Sequence, residues 1–362
     1  MNSCGEWILL SKIPYLGPKR CRELVEYFGS PREVLSAPFD KLSKIPGIGK
    51  EIAKLIISEA RKINVEEDLN LLRKFDVQVI TFQDKQYPSN LQNIFDPPFL
   101  LYVRGELREE DKDALAIVGT RRATIYGKLT AQRLAREVAK EGITIVSGMA
   151  RGIDTAAHWG ALEAEGRTIA VMGCGVDRVY PPENKELMNK IIERGAVISE
   201  FPLRSLPEAS HFPQRNRIIS GLSRGVLVVE APLKSGALIT AEFALEQGRE
   251  VFAVPGNINS PKSQGTNRLI REGAKLVEKT EDIFEELNFS PILSNIEVIK
   301  NKESLLSPEE KRVLALIKEK PLHIDSLVEK SGFPASKVAA ILMKLQIKGF
   351  IREFPGKVFV RS

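Results

Sequence analysis

The stretch His211–Ala231 reads HFPQRNRIISGLSRGVLVVEA. Its apolar end, Val226–Val229, shows no polar alternation, which is the pattern of a strand buried on both faces. Ahead of that strand stand Phe212, Arg215, Arg217 and Arg224. RNRIISGL reads as a helix that starts near Pro213. In a parallel sheet such a helix begins at the carboxyl edge of the strands and returns the chain to the opposite edge. Phe212, Arg215 and Arg217 are therefore expected at the mouth of a site, with Arg224 at the far end in a structural role.

Working outward, ALAIVG, ITIVSG, TIAVMG, AVISE and EVFAVPG repeat the short, β-branched, apolar pattern, and helical stretches separate most of them. This predicts an α/β fold, a Rossmann-like doubly wound and mostly parallel sheet with helices on both faces. In such folds ligands sit beyond the carboxyl ends of the strands, so the loops there carry the chemistry.

The first loop holds Gly119, Thr120, Arg121 and Arg122, with a helix from about Tyr126. Free N–H groups at a helix start attract an anion, and arginines make bidentate phosphate contacts. The dinucleotide fingerprint G-x-G-x-x-G is absent, and the next strand ends in Ser147-Gly148 rather than a ribose-binding acid, which disfavours NAD. The second loop adds Ser147, Gly148 and Arg151, with Asp154 as a helix cap. The third, GCGVDRVYPPEN, adds Arg178 and Tyr180; a fourth adds Lys234, Ser235 and Gly236. A mononucleotide needs one phosphate loop. Four, with an aromatic among them, suit a single-stranded nucleic acid, whose bases stack for ~1–3 kcal/mol each while cations follow the phosphates.

The flanks differ in character. Residues 1–75 read as a compact helical domain, in which LSKIPGIGKEIAKLIISEA resembles a helix-hairpin-helix with Gly47, Gly49 and Lys50 at its turn, and SKIPYLGPKRCRELVEYFGS is a weaker copy. Residues 76–287 form the extended Rossmann-like domain. A polar linker, 288–304, leads to a winged-helix-like domain over 305–362. That last segment carries 11 Lys/Arg against 6 Asp/Glu, with Lys337, Lys344 and Lys348 on its final helix. It reads either as a DNA-binding or as a protein-binding module.

Chain length, 362 residues, suggests two or three domains, and the net charge of +6 mildly favours a polyanionic partner. The 3 cysteines, Cys4, Cys21 and Cys174, are scattered in no metal or disulfide pattern. No membrane-spanning run or signal peptide is evident, so a cytoplasmic protein without membrane partners, metal or cofactor is expected.

GTRRATIYG, SGMARGIDTAAH, GCGVDRVYPPEN, HFPQRNRIISGLSRGVLVVEA, SGALITAEFALEQGR and VFAVPGNINSPKSQGTNRLIREGA resemble, in order and spacing, the DNA processing protein A family (DprA, also called Smf). The resemblance covers about residues 90–285, and the flanking domains suit a long member. It implies a bacterial protein that binds single-stranded DNA without sequence preference, protects it during natural transformation, loads the recombinase RecA and helps displace single-strand-binding protein. It implies no enzymatic activity. The family's pocket carries over to Gly119, Arg121, Ser147, Gly148, Phe212, Arg215, Asn216 and Arg217; Thr120 replaces the usual serine of the first motif and keeps the hydroxyl. A homodimer is implied through the region around Leu269 and Ile270. The rival reading is a Rossmann-like nucleotide-binding or N-glycosidic-bond-cleaving enzyme with Glu242 as its acid. The Pro-Gly-Gly-x-Gly-Thr loop of such enzymes is here Pro-Leu-Lys-Ser-Gly-Ala, and His158 and His211 have no partner in sequence, so both read as structural.

Overall fold

A computed structural model describes residues 3–289, 306–317, 321–348, 350–354 and 356–361. The chain forms two compact units, Met1–Ile292 and Leu293–Ser362. The expected linker at 288–304 lies outside the described residues apart from Asn288 and Phe289.

The first unit opens with helices α1 (Ser3–Ser11), α2 (Pro18–Phe28), α3 (Pro31–Ser36), α4 (Phe39–Leu42), α5 (Gly49–Ala60) and α6 (Glu66–Phe75). Strands β1 (Gln78–Thr81) and β2 (Leu100–Gly105) follow, with α7 (Ser89–Gln92) between them. Then come β3 (Ala114–Val118), α8 (Ile125–Lys140), β4 (Thr144–Ser147), α9 (Ile153–Glu163), β5 (Thr168–Val171), α10 (Lys185–Arg194) and β6 (Ala196–Ser199). The unit closes with α11 (His211–Leu222), β7 (Gly225–Val228), α12 (Gly236–Glu246), β8 (Glu250–Ala253), α13 (Gln264–Arg271), β9 (Lys275–Leu276) and α14 (Glu281–Leu287).

All 9 of these strands join one sheet in the order β1-β2-β6-β5-β4-β3-β7-β8-β9. Pairing is parallel from β6 through β9, while β2 runs antiparallel to both β6 and β1. The sheet therefore extends past the parallel core through β1 and β2, which flank a segment containing Pro88, Pro97 and Pro98. The chain lays down β3 to β6 in one direction and β7 to β9 in the other, so the order reverses between β3 and β7.

The strands are apolar throughout because both faces are covered. Leu115 and Ile117 pack into the core that includes Leu134 of α8 and Ala157 of α9, while Ala116 and Val118 pack with Ile218 of α11 and Ala241 of α12. The N-terminal helices share a core with the sheet edge: the Trp7 ring lies 4.9 Å from Phe99 and 5.6 Å from Phe82. That shared core is why helices and sheet make one unit.

In the second unit α15 (Pro308–Leu316) starts with a capping box between Ser307 and Glu310, and Pro308 stands in its first turn. Next come β10 (Leu322–His323), α16 (Ile324–Ser331), which ends on Gly332, and α17 (Ala335–Ile347). Strands β11 (Ile351–Phe354) and β12 (Val358–Arg361) complete a sheet in the order β10-β12-β11, the architecture of a winged helix.

Candidate nucleic-acid interface

Phe212 lies in the first turn of α11, which starts two residues before the expected Pro213. The Arg121 guanidinium stands 4.9 Å over its ring, and the Tyr180 ring lies 5.6 Å away at 33°. Gly173 makes room below, since a Cβ there would stand 3.0 Å from the Phe212 ring. Arg121, Gly148, Ala150, Arg151, Gly173, Tyr180 and Phe212 thus line one cleft, built from the loops after β3, β4 and β5 with the start of α11. The cleft is narrow, about 20 Å³, because the Arg121 guanidinium occupies the face of Phe212.

Arg215 sits beneath this cleft rather than in it. It is 4% exposed, it donates from Nη1 to the Val171 carbonyl, and its guanidinium fills the space a Gly148 side chain would take. Burial lowers its pKa to about 10, with Asp154 opposing the shift. Asp154 is pushed up to about 6 by burial, against the pull of Arg215 and of the Ala150 and Gly148 backbone. Asp154 is not the cap expected for α9, whose N-cap is Gly152 without a side-chain bond; its carboxylate accepts the Ala150 N–H at 3.4 Å, so the second loop is tied internally. Beside them His158 is fully buried, with Nδ1 2.7 Å from Thr168 Oγ1, and burial lowers its pKa to about 3.

Several of the expected residues have partners within the protein. Arg217 does not reach the mouth with its charge free. Its guanidinium meets Glu200 at 2.7 and 2.8 Å and Asp96 at 3.3 Å. Burial disfavours that charge, but the two carboxylates outweigh it and raise the pKa. Ser147 is fully buried and donates its hydroxyl to the Ile117 carbonyl at 2.6 Å. Arg151 is exposed but grips Glu183, one contact measuring 3.0 Å. Asn216 donates to the Gly236 carbonyl at 3.2 Å, joining α11 to the start of α12. Lys234 and Gly236 are exposed, and neither lines the cleft. Arg178 donates to the Arg204 carbonyl at 3.1 Å.

The start of α8, where an anion was expected, is already filled. Glu230, 4% exposed at the end of β7, accepts the Thr124 N–H at 2.8 Å and the Thr124 hydroxyl at 2.5 Å. Thr124 in turn accepts the Gly127 N–H at 3.0 Å, and the Thr120 N–H bonds the Glu230 carbonyl at 2.7 Å. This is the point where strand order reverses, the usual ligand crevice of a doubly wound sheet. Here a carboxylate of the chain occupies it. The open cleft is displaced toward β4 and β5, and Gly119, Thr120 and the exposed Arg122 border the filled crevice.

Arg224 behaves as expected of a far-edge residue: it pairs with Asp113 at 3.1 Å and stacks on Phe289 at 4.6 Å. His211 stacks on Phe201 at 4.0 Å and faces the Gly173 carbonyl. Glu242 is exposed on α12, near Arg268, and does not line the cleft. Gly47, Gly49 and Lys50 are exposed at the turn into α5, whose first turn has no side-chain cap. In the winged helix, Lys337 pairs with Glu309 at 2.6 Å and Lys348 with Glu310 at 2.9 Å.

Residues 78–288 match the family model of DNA recombination-mediator protein A, residues 300–357 that of the DprA winged helix domain, and residues 8–62 a SAM-like helix-hairpin-helix tandem. The chain belongs to the DNA processing protein A family. It is 33% identical to protein Smf of Synechocystis over 98% of both chains. The crystal structure of DNA processing protein A (DprA) from Streptococcus pneumoniae superposes with a TM-score of 0.69 at 36% identity, covering 79% of this chain and 99% of that one. DNA processing protein A from Helicobacter pylori, whose structure is described for its single-stranded DNA binding mode, superposes at 0.53 with 34% identity, covering 58% of this chain and 96% of that one. As a DprA protein the chain carries all three parts read from its sequence. Among the described residues, no helix is long and apolar enough to cross a membrane.

What the sequence did not disclose is which cations are free. Glu200 and Asp96 lie 17 and 121 residues from Arg217, and nothing local announces either pairing. The Glu230 plug had one faint signal, an acid directly after a buried strand.

Proposed function

We infer that this DprA protein binds single-stranded DNA without sequence preference, protects it, and loads RecA onto it during natural transformation and homologous recombination. The carrying observation is the Phe212 face held under the exposed guanidinium of Arg121. A base that slides onto Phe212 displaces the guanidinium, which then has a phosphate to pair with. Stacking is available to every base, and the cleft offers no side-chain amide to read base edges, so binding is indifferent to sequence. Arg122 and Lys234, both exposed, extend the cationic track. The work is done by binding alone, without a covalent step or cofactor. Displacement of single-strand-binding protein follows from competition for the same strand, and a homodimer through the Ile270 region presents two such clefts.

The test is a titration against single-stranded and duplex oligonucleotides at several salt concentrations. Arg121→Ala is expected to lower the slope of log affinity against log salt by ~0.7, one phosphate contact on a single strand. Phe212→Ala is expected to weaken binding by ~1–3 kcal/mol with the slope unchanged. Equal affinity for duplex, or parental slopes in Arg121→Ala, would place the interface elsewhere. RecA filament assembly on coated strands, with and without the protein, tests loading separately.

A further inference from the structure

A second open surface lies on the far side of the plugged crevice. Ile125 and Tyr126 open α8 and are 68% and 55% exposed, and Ile258 on the loop after β8 is 83% exposed. Large apolar side chains left together on a surface call for an explanation in a way that single ones do not. Between Tyr126 and the β8 loop runs a groove of about 390 Å³ lined by Tyr126, Pro255, Gly256 and Asn257.

The groove is built and not a slack loop. The Tyr126 hydroxyl reaches the Pro255 carbonyl at 3.5 Å. Asn267 of α13 holds Gly256 from both sides, accepting its N–H at 3.1 Å and donating to its carbonyl at 3.0 Å. Asn257 Oδ1 accepts the Asn259 N–H at 2.9 Å, which fixes the turn that carries Ile258. An exposed ring is thus held beside a fixed floor, and the turn that continues the floor carries the exposed Ile258.

We propose that this groove is a second base-stacking station for the same DNA strand, with Tyr126 as its platform and the exposed Ile258 of the adjoining turn as a further apolar contact. The proposal rests on the single-strand reading of the Phe212 cleft. Continuity favours a nucleobase as occupant. Arg121, over Phe212, and Tyr126 are five residues apart on one segment, a reach of at most roughly 18 Å. Charge favours it as well. Arg122 and Lys128 flank the aromatic in sequence, both are exposed, and neither has a carboxylate partner among the described residues. No acid lines the groove. An aromatic platform and uncompensated cations are the ingredients of single-strand binding. Glu230 separates the two stations, so the strand passes over the plug rather than into it.

The experiment compares oligothymidylates of about 2 and about 20 nucleotides, the first too short to span both stations and the two bracketing the footprint of one single-strand-binding module. On the full-length protein, Tyr126→Ala and Ile258→Gln are expected to weaken the longer strand by roughly 5- to 100-fold and to leave the shorter one nearly unchanged. Tyr126→Phe keeps the ring and is expected to bind like the parent. Because both side chains are exposed, the fold is not at stake. Parental binding of both lengths by the alanine and glutamine variants overturns the proposal. So does equal loss at both lengths, which would make Tyr126 a support of the Phe212 cleft. If the parent itself binds neither strand, the reading of the Phe212 cleft fails first and the station with it.

Discussion

At the scale of single residues, the cleft is governed by what lies under it. Gly148 cannot carry a side chain because Arg215 fills that space. Gly148→Ala is expected to destabilise the protein by ~1–3 kcal/mol through overpacking, read as a lower urea midpoint; an unchanged midpoint would mean that Arg215 moves freely. The neighbouring His158 has a pKa of about 3, below the ~6.5 of an unfolded histidine. Its contribution to stability is therefore intact above pH ~6.5 and is lost as the pH falls toward about 3. Asp154, raised to about 6, works the other way: its contribution is complete below pH ~3.9 and lost as the pH rises through about 6. His158→Gln should thus lose less thermal stability than the parent between pH 6.5 and 4, in melts run across that range; parallel pH profiles would contradict it. Arg121 stood out in the sequence beside a glycine loop, and Phe212 beside the arginines that precede a buried strand. The roles of Arg215, Arg217 and Ser147 were not legible there, since each is decided by a partner that only folding brings near.

Among the elements, the strands were plain in the sequence wherever both faces are buried, because an unbroken apolar run has no other comfortable place. Strand β9 was missed. It is 2 residues long, exposed, and forms the end of the sheet, so burial leaves no mark on its sequence. An edge strand offers unpaired N–H and C=O groups to another chain. Just ahead of it on α13, Leu269 packs inward against the sheet core, while Ile270 is half-buried and outside that core. Of the two residues expected at a dimer contact, Ile270 is therefore the one to test. Ile270→Glu is expected to shift the protein to a monomer in light scattering. A dimer that persists in this variant would move the contact off α13.

For the whole molecule, the basic C-terminal segment invited a DNA-binding reading. In the folded unit Lys337 of α17 and Lys348 just after it are paired with Glu309 and Glu310 of α15, so two of the three lysines singled out there are engaged within the unit, although the segment keeps its excess of 11 Lys/Arg over 6 Asp/Glu. A chain ending at residue 292 is expected to keep its preference for single strands and to change the salt slope by less than about 0.7, the share of one phosphate contact. A larger drop would put the winged helix on the DNA.

Glu230 has a consequence for how the protein behaves among small metabolites. Cells hold free nucleotides in large excess over any DNA strand, and an open crevice at the reversal of strand order would be a standing vacancy for them. Here that vacancy is taken by a carboxylate that cannot diffuse away and is bonded twice to Thr124. On this reading, occupancy of the neighbouring clefts tracks the supply of single strands and not the energy charge of the cell.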